Sequence, residues 1–176
     1  MTFILRGKRI ALSSLNLTQI EYSYRNVFSE ASYSVEDRTL TEMAVMTKGY
    51  SYAFQLLGYL AWKKAKHTKI IDANLLEQIK PEYLLELDQN ACTKIFDGLS
   101  NQDRKFLYAM AKSDKNRVLI KDIRQRLNRP SNFVANYRRR LLDNQVIKVT
   151  NYGEVAFTLP FFREYVLKRQ VFEELE

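Results

Sequence analysis

In the first half of the chain, apolar residues recur every three or four positions, the period of an amphipathic helix. A capping-box pattern at Thr18 opens the first such stretch, and Asp37 marks the start of a second that ends at Gly49. A third stretch, residues 50–66, is apolar on nearly all sides, as expected for the central helix of a bundle. The pattern predicts consecutive packed helices.

A fourth helix is predicted after a cap at Asp72. Because proline removes a helical N–H group, we expect this helix to kink or divide at Pro81. The Asp97-Gly98 pair ends the helical block. The sequence therefore predicts two domains, a helical bundle over residues 1–97 and a second domain over residues 98–176.

The second half has a different order of elements. Ser100 opens a helix, the apolar run 118–120 indicates a short strand, and a brief helix leads to a turn at residues 128–130. Ser131 is predicted to cap a further helix that ends near Asp143.

Two runs of alternating polarity follow, residues 146–150 and 154–159. The residues between them, Asn151-Tyr152-Gly153, indicate a hairpin, and Pro160 is expected to start a closing helix. Helix, strand, helix, turn, helix and hairpin are the elements of a winged helix-turn-helix. We therefore predict a mainly α fold, with a helical bundle followed by a winged helix that has a small β-hairpin wing.

Positive charge is concentrated in the predicted winged helix. Residues 1–97 carry 12 Lys and Arg against 11 Asp and Glu, whereas residues 98–176 carry 16 against 9. Residues 112–148 alone carry 11 against 3. Such a field attracts a polyanion, and release of counterions from phosphates is the usual source of affinity. A solvated basic face without a partner is the alternative.

The predicted helix from Ser131 has one apolar side. At about 100° per residue, Val134, Tyr137 and Leu141 share that side and should be buried. Asparagine can form two hydrogen bonds with adenine, and arginine can do the same with guanine, in the major groove of DNA. The opposite side carries the residues that we predict to contact bases, Asn132, Asn136 and Arg139.

The preceding helix and turn cross the DNA backbone in helix-turn-helix docking, so their basic residues are expected to contact phosphates. At the wing tip, Asn151 and Tyr152 can enter a minor groove or simply form a turn. The predicted phosphate contacts on this helix and turn are Lys121, Arg126 and Arg129. Arg140, at the shoulder of the helix from Ser131, is also predicted to contact a phosphate.

Enzymatic chemistry finds little support in the sequence. The five glycines do not form a phosphate-binding loop, and no nucleophile stands in a recognisable catalytic pattern, so no catalytic residue is predicted. With one His and one Cys there is no metal site, and Cys92 is expected to be a core or boundary thiol. No stretch is apolar enough to cross a membrane and the start lacks a signal peptide, so a cytoplasmic location is expected.

Two functions remain open at this point. Binding of double-stranded DNA is favoured by the basic cluster across the predicted turn and recognition helix. Winged helices also mediate protein contacts, so the alternative is a regulatory protein-interaction module that does not bind DNA. The oligomeric state is open as well.

Two segments resemble the helical lid and following winged helix of AAA+ ATPases of the origin-recognition-like and signal-transduction type. Residues 47–58, TKGYSYAFQLLG, resemble the T-x-G-Y-P-x-x-x-Q-x-x-G segment of the lid. Residues 99–107, 132–142 and 155–165 look like the winged helix. The similarity covers about residues 15–166.

The resemblance implies a non-catalytic C-terminal portion whose lid relays nucleotide state to a DNA-binding winged helix. The phosphate loop and the acidic magnesium-binding strand of the family are absent, and residues 1–15 resemble the end of the missing core. ATP and Mg²⁺ are therefore expected only with that core, which is also an expected partner, as is another protein. The resemblance places Lys48, Gly49 and Tyr50 near the nucleotide, although Ser51 and Tyr52 stand where the family often has an arginine.

Overall fold

The computed structural model describes residues 14–175, and the chain forms two compact units that divide between Lys80 and Pro81. The sequence places the division at residues 97 and 98. The two positions differ because Cys92 and Phe96, which precede the Asp-Gly pair, are buried in the core of the second unit. The predicted remnant of an ATPase core, residues 1–15, lies almost entirely outside the described residues.

The predicted fold class is confirmed. The described residues are mainly helical, and the only sheet with three strands among them is small and antiparallel. That sheet belongs to the second unit, where the sequence predicts the winged helix.

The described part of the first unit contains three complete helices, a pair of short strands and the start of a fourth helix that continues into the second unit. The strands β1 and β2 pair in parallel, with Ser34 opposite Ile70, and were not predicted from the sequence. The elements in chain order are α1 (Leu17–Glu30), β1 (Ser34–Val35), α2 (Asp37–Met46), α3 (Ser51–Lys64) and β2 (Ile70–Ile71).

The helix α1 begins two residues before the predicted start. Its N-cap is Asn16, whose Oδ1 accepts hydrogen bonds from the backbone N–H groups of Thr18 and Gln19 at 2.8 and 3.3 Å. The predicted cap at Thr18 is wrong because the asparagine two residues earlier already satisfies these first donors of the helix.

The predicted cap at Asp72 is confirmed, since its Oδ1 accepts from the backbone N–H of Leu75 at 2.8 Å. The helix α4 (Ala73–Leu87) then passes through Pro81 without dividing, so of the two predicted outcomes, a kink or a division, the division is wrong. The departure from α-helical geometry comes later, in a π-helical segment at Asp88–Thr93. There the Thr93 hydroxyl donates to the Asp88 carbonyl at 2.9 Å, five residues back, and α5 (Lys94–Asp97) follows.

The second unit has the winged-helix order of elements. Its sheet has the order β3-β5-β4, with both pairings antiparallel, and a bulge interrupts β4 between Val149 and Asn151. The elements are α6 (Asn101–Ala111), β3 (Val118–Leu119), α7 (Ile120–Leu127), α8 (Ser131–Asp143), β4 (Ile147–Asn151), β5 (Glu154–Phe157) and α9 (Phe162–Leu175).

The turn between α7 and α8 is built by Asn128, whose φ of 49° lies in the left-handed region that asparagine tolerates. The N-cap of α8 is Pro130, so the predicted cap at Ser131 is wrong. The Ser131 hydroxyl instead accepts a hydrogen bond from Arg124 at 2.8 Å. The predicted capping box of Ser100 and Asp103 at the start of α6 is confirmed.

The core of the second unit fixes which side of α8 faces outward. Val134 and Leu141 are buried beside Phe106 and Ile123, while Tyr137 is half-buried against the same core. The predicted apolar stripe therefore points inward, which turns the opposite side of the helix to solvent.

The turn at Gly49 leads to a test of stability. Gly49 has a φ of 74°, and an added Cβ would lie 2.7 Å from the Leu15 carbonyl oxygen, so Gly49→Ala combines backbone strain with a backbone clash. We expect it to lower the free energy of unfolding by about 2 kcal/mol or more. Chemical denaturation measures the change.

Two other glycines provide the controls. Gly153 has a similar φ of 70° but nothing within 4 Å of the added Cβ, so Gly153→Ala should cost only the strain, about 1 kcal/mol. Gly98 has an ordinary φ of −75°, and Gly98→Ala should change stability little. Equal losses for Gly49→Ala and Gly153→Ala would contradict the role given to the Leu15 contact.

Candidate nucleic-acid interface

The three residues predicted to contact bases share the exposed side of α8. Asn132, Asn136 and Arg139 are all exposed. Asn132 lies in the first turn, where its Oδ1 accepts from the backbone N–H of Phe133 at 2.8 Å. That bond uses the oxygen which a two-bond contact with adenine needs, because adenine presents both an acceptor and a donor.

Asn136 and Arg139 are in a different situation. Among residues 14–175, neither side chain takes part in a hydrogen bond or an ion pair. They are three residues apart, so they are neighbours on the helix surface. The amide and the guanidinium therefore have their full hydrogen-bonding capacity available on one exposed face.

A shallow cleft lies beside this face, along α7 and the turn. Its volume is about 710 Å³, and its open shape exposes the lining side chains to solvent. Three lining residues are cationic and one is acidic, so the cleft favours an anion. The lining residues are Lys121, Asp122, Arg124, Gln125, Asn128, Arg129 and Pro130.

Two of the cleft arginines are held in place by α8. Arg124 donates from Nη1 to the Ser131 hydroxyl at 2.8 Å. The guanidinium of Arg129 lies over the ring of Phe133, with its central carbon 5.5 Å from the ring centre. These contacts reduce the side-chain entropy that binding an anion would cost.

Arg124 was not among the predicted phosphate contacts. The signal was present in the sequence, because Arg124 follows Lys121 by three residues and α7 therefore presents both on one side. Lys121 and Arg129, two of the predicted phosphate contacts, both line the cleft, and their contact with phosphate stays a prediction.

The other two predicted phosphate contacts are bonded to α6. Arg126 donates from Nη1 to the Ala109 carbonyl at 2.8 Å, and Arg140 donates from Nη2 to the Asp103 carboxylate at 2.9 Å. Neither lines the cleft. Asp103 is buried, whereas the Arg140 side chain is 54% exposed. Arg126 therefore connects α7 to α6, and Arg140 connects α8 to α6.

The wing tip adjoins the start of α7. Asn151 and Tyr152 are exposed, and Asn151 Oδ1 accepts from the backbone N–H of Tyr152 at 3.0 Å. The carbonyl of Gly153 accepts from the backbone N–H of Ile120 at 2.9 Å. Because Ile120 directly precedes Lys121, this bond fixes the tip next to the cleft.

In the first unit, the Lys48-Gly49-Tyr50 turn packs against its own chain. The Gly49 carbonyl accepts from the backbone N–H of Leu15 at 2.8 Å, and the buried Thr47 hydroxyl accepts from Gly49 N–H at 3.1 Å. These contacts account for the presence of glycine at this position. Because the N–H and carbonyl groups of Gly49 are already hydrogen-bonded within the chain, its backbone offers no binding site for a phosphate. A nucleotide contact here stays a prediction.

Other reactive groups of the chain offer little chemistry. Burial, reinforced by Asp88, raises the pKa of the Cys92 thiol to about 12, so the thiol stays protonated at neutral pH. Among residues 14–175, no three His, Cys, Asp or Glu side chains come together as a group that could hold a metal ion. Over that part of the chain, no helix has both the length and the apolar character needed to cross a bilayer.

Parts of the chain are similar to known proteins. A family model described as a domain of unknown function, DUF8462, matches residues 89–166, which include most of the winged helix. No curated protein matches the chain. Similar solved structures include the RuvB Holliday junction branch migration motor of Thermotoga maritima and two of its variants.

The likeness to RuvB is distant. Each of these structures is 16% identical to the chain, with a TM-score of 0.39. The alignment with the branch migration motor covers 85% of this chain, which spans about half, 49%, of the RuvB chain.

Proposed function

We propose that the second unit binds double-stranded DNA, with α8 in the major groove and the cleft of α7 on the backbone. One observation carries the proposal. The side chains of Asn136 and Arg139 are exposed and form no hydrogen bond or ion pair with residues 14–175, and they lie beside a cleft that is lined by three cationic residues. Base-reading and phosphate-binding groups thus lie on the two helices that helix-turn-helix proteins use for these tasks.

Each group has a distinct part in the proposed complex. Arg139 donates to the O6 and N7 atoms of a guanine, and Asn136 pairs with the N6 and N7 atoms of an adenine. Asn132 makes a single contact through its amide nitrogen, because its oxygen already accepts from the Phe133 N–H in the first turn of α8. Lys121, Arg129 and Arg124 neutralise phosphates and so set the register of α8 in the groove.

For the first unit, we propose the role of an AAA+ lid that relays nucleotide state to the winged helix. The support is the resemblance of residues 47–58 to the lid segment, and it rests on the sequence pattern alone. In this proposal the chain itself is non-catalytic. A separate nucleotide-binding core supplies ATP and Mg²⁺ and is a protein partner.

Arg139→Ala tests the base contact. Selection from a library of random duplexes should give a weaker preference for guanine at one position, and affinity for the selected site should fall by about 1–3 kcal/mol. Affinity for unrelated duplexes should fall little, because the exposed arginine reads a base and not the backbone. Fluorescence anisotropy with labelled duplexes measures both affinities.

Arg38→Ala is the matched control, since it removes an exposed arginine from the first unit. It should leave the base preference unchanged. If the wild-type chain bound no duplex even at low salt and instead captured a protein partner, the protein-interaction function would replace DNA binding. An unchanged preference in Arg139→Ala would remove Arg139 from the proposed site.

A further inference from the structure

Tyr152 is an aromatic residue that packs against none of the described residues of its own unit. The residue is 99% exposed at the tip of the wing, between β4 and β5. Burial of apolar area is what makes an aromatic side chain stabilise a fold, so this ring adds nothing to the stability of the hairpin.

The backbone that carries the ring is nevertheless held firmly. Asn151 pairs with Glu154 across the hairpin, and Asn151 Oδ1 accepts from the Tyr152 N–H. Gly153 supplies the positive φ of 70° that closes the turn, and its carbonyl is bonded to Ile120 at 2.9 Å. The exposed ring therefore has a fixed base, which lowers the entropy lost when it contacts a ligand.

The position of the tip relates the ring to DNA. The hydrogen bond from the Ile120 N–H to the Gly153 carbonyl places the tip next to the start of α7, where Lys121 lines the cleft. A phosphate held by Lys121 brings the adjoining nucleotides within reach of the wing. The inference that follows rests on the proposed binding of DNA in that cleft.

Stacking on a base is the favourable contact for such a ring, and it raises a binding constant by a factor of about 5 to 100. Inside an intact duplex both faces of every base are already stacked, so inserting the ring must first open a step at a similar cost. At a gap, a fork or a duplex end, a base face is already exposed. The gain from stacking is then retained.

We propose that Tyr152 stacks on an exposed base, so that the preferred ligand is duplex DNA interrupted by a gap, a fork or an end. The cleft holds the duplex through its phosphates, and the wing tip reads the interruption. Because every base has a flat face, this contact selects DNA structure and not sequence.

The test compares two DNA dumbbells that are closed by the same tight loops, one with an intact stem and one with a single-nucleotide gap. Wild-type protein should bind the gapped stem about 10-fold more tightly. Tyr152→Ala should bind both stems equally, at the affinity of the wild type for the intact one. Tyr152→Phe keeps the ring and should keep the preference.

Two further measurements separate the causes. A 2-aminopurine base beside the gap should lose fluorescence on binding wild type or Tyr152→Phe, but not Tyr152→Ala. Lys121→Ala should weaken binding to both stems by a similar factor, because it removes a phosphate contact. If Tyr152→Ala lowered the melting temperature, Tyr152→Leu, which keeps bulk but lacks a flat ring, would replace it.

The outcomes distinguish this inference from the proposed function. Binding to both stems with equal affinity by wild type, or a gap preference that survives Tyr152→Ala, would overturn the stacking role while leaving duplex binding in place. Failure of wild type to bind either stem would overturn the proposed function as well.

Discussion

Replacing Lys121, Arg124 and Arg129 together with alanine is expected to lower duplex affinity on the order of 100-fold near physiological salt. Each phosphate contact contributes about 0.9 to the slope of log K against log salt, so the loss of three contacts should flatten the slope by about 2.7. All three side chains line the cleft, and none is buried or engaged in an ion pair in the described residues.

The measurement is a salt titration of binding to one duplex, for wild type and the triple variant. The two lines should converge as the salt concentration approaches 1 M, where release of counterions no longer favours binding. A control variant in which Arg38, Lys64 and Lys66 are replaced removes the same charge from exposed positions of the first unit. Equal losses in the two triple variants would show that net charge, and not the cleft, determines the affinity.

The exposed face of α8 could be predicted from the sequence because it follows from local periodicity. Once Val134 and Leu141 are assigned to the core, the geometry of a helix turns Asn136 and Arg139 outward, and the structure has all four in these positions. The cleft is almost as local, since Lys121 and Arg124 lie one turn apart on α7. A contact determined by a single helix needs no knowledge of the rest of the fold.

Long-range contacts explain what the sequence could not predict. Arg140 is bonded to Asp103, 37 residues away, and Arg126 to the Ala109 carbonyl, 17 residues away. No local sequence pattern indicates either contact, so both arginines were predicted to be available for phosphates. The bond of Gly153 to Ile120 is of the same kind, and it is what relates the wing to the cleft.

The start of α1 was missed for another reason. Both Asn16 and Thr18 can cap a helix, and nothing in the local pattern decides between neighbouring candidates. The parallel pair of β1 and β2 has only two residues in each strand, which is too short for alternation to be recognised.

Asp103→Ala should be the most destabilising of the single substitutions considered, with a loss of about 3 kcal/mol in the free energy of unfolding of the second unit. Asp103 is 1% exposed, and its Oδ2 accepts from the Ser100 N–H at 3.2 Å and from Arg140 at 2.9 Å. The capping box contributes about 1 kcal/mol, and hydrogen bonds to a buried charge contribute about 1.5–3 kcal/mol. The expected loss lies in the middle of the combined range because water partly screens the charge of the half-exposed arginine.

Two variants separate these contributions in chemical denaturation. Asp103→Asn keeps an oxygen for the Ser100 cap but loses the charge, and should cost about 1–2 kcal/mol. Arg140→Met leaves the buried carboxylate without its cation and should cost a similar amount. A double variant that lost the full sum of the two single losses would show that the two residues are not coupled.

The same pair positions the proposed recognition helix, and DNA binding can show which role Arg140 has. If Arg140 only holds α8 against α6, Arg140→Met should weaken the preference for the selected site while the salt slope stays unchanged. If it also contacts a phosphate, as predicted from the sequence, the slope should fall by about 1. An exposed arginine whose charge is already engaged by Asp103 attracts a phosphate less strongly, so we expect the unchanged slope.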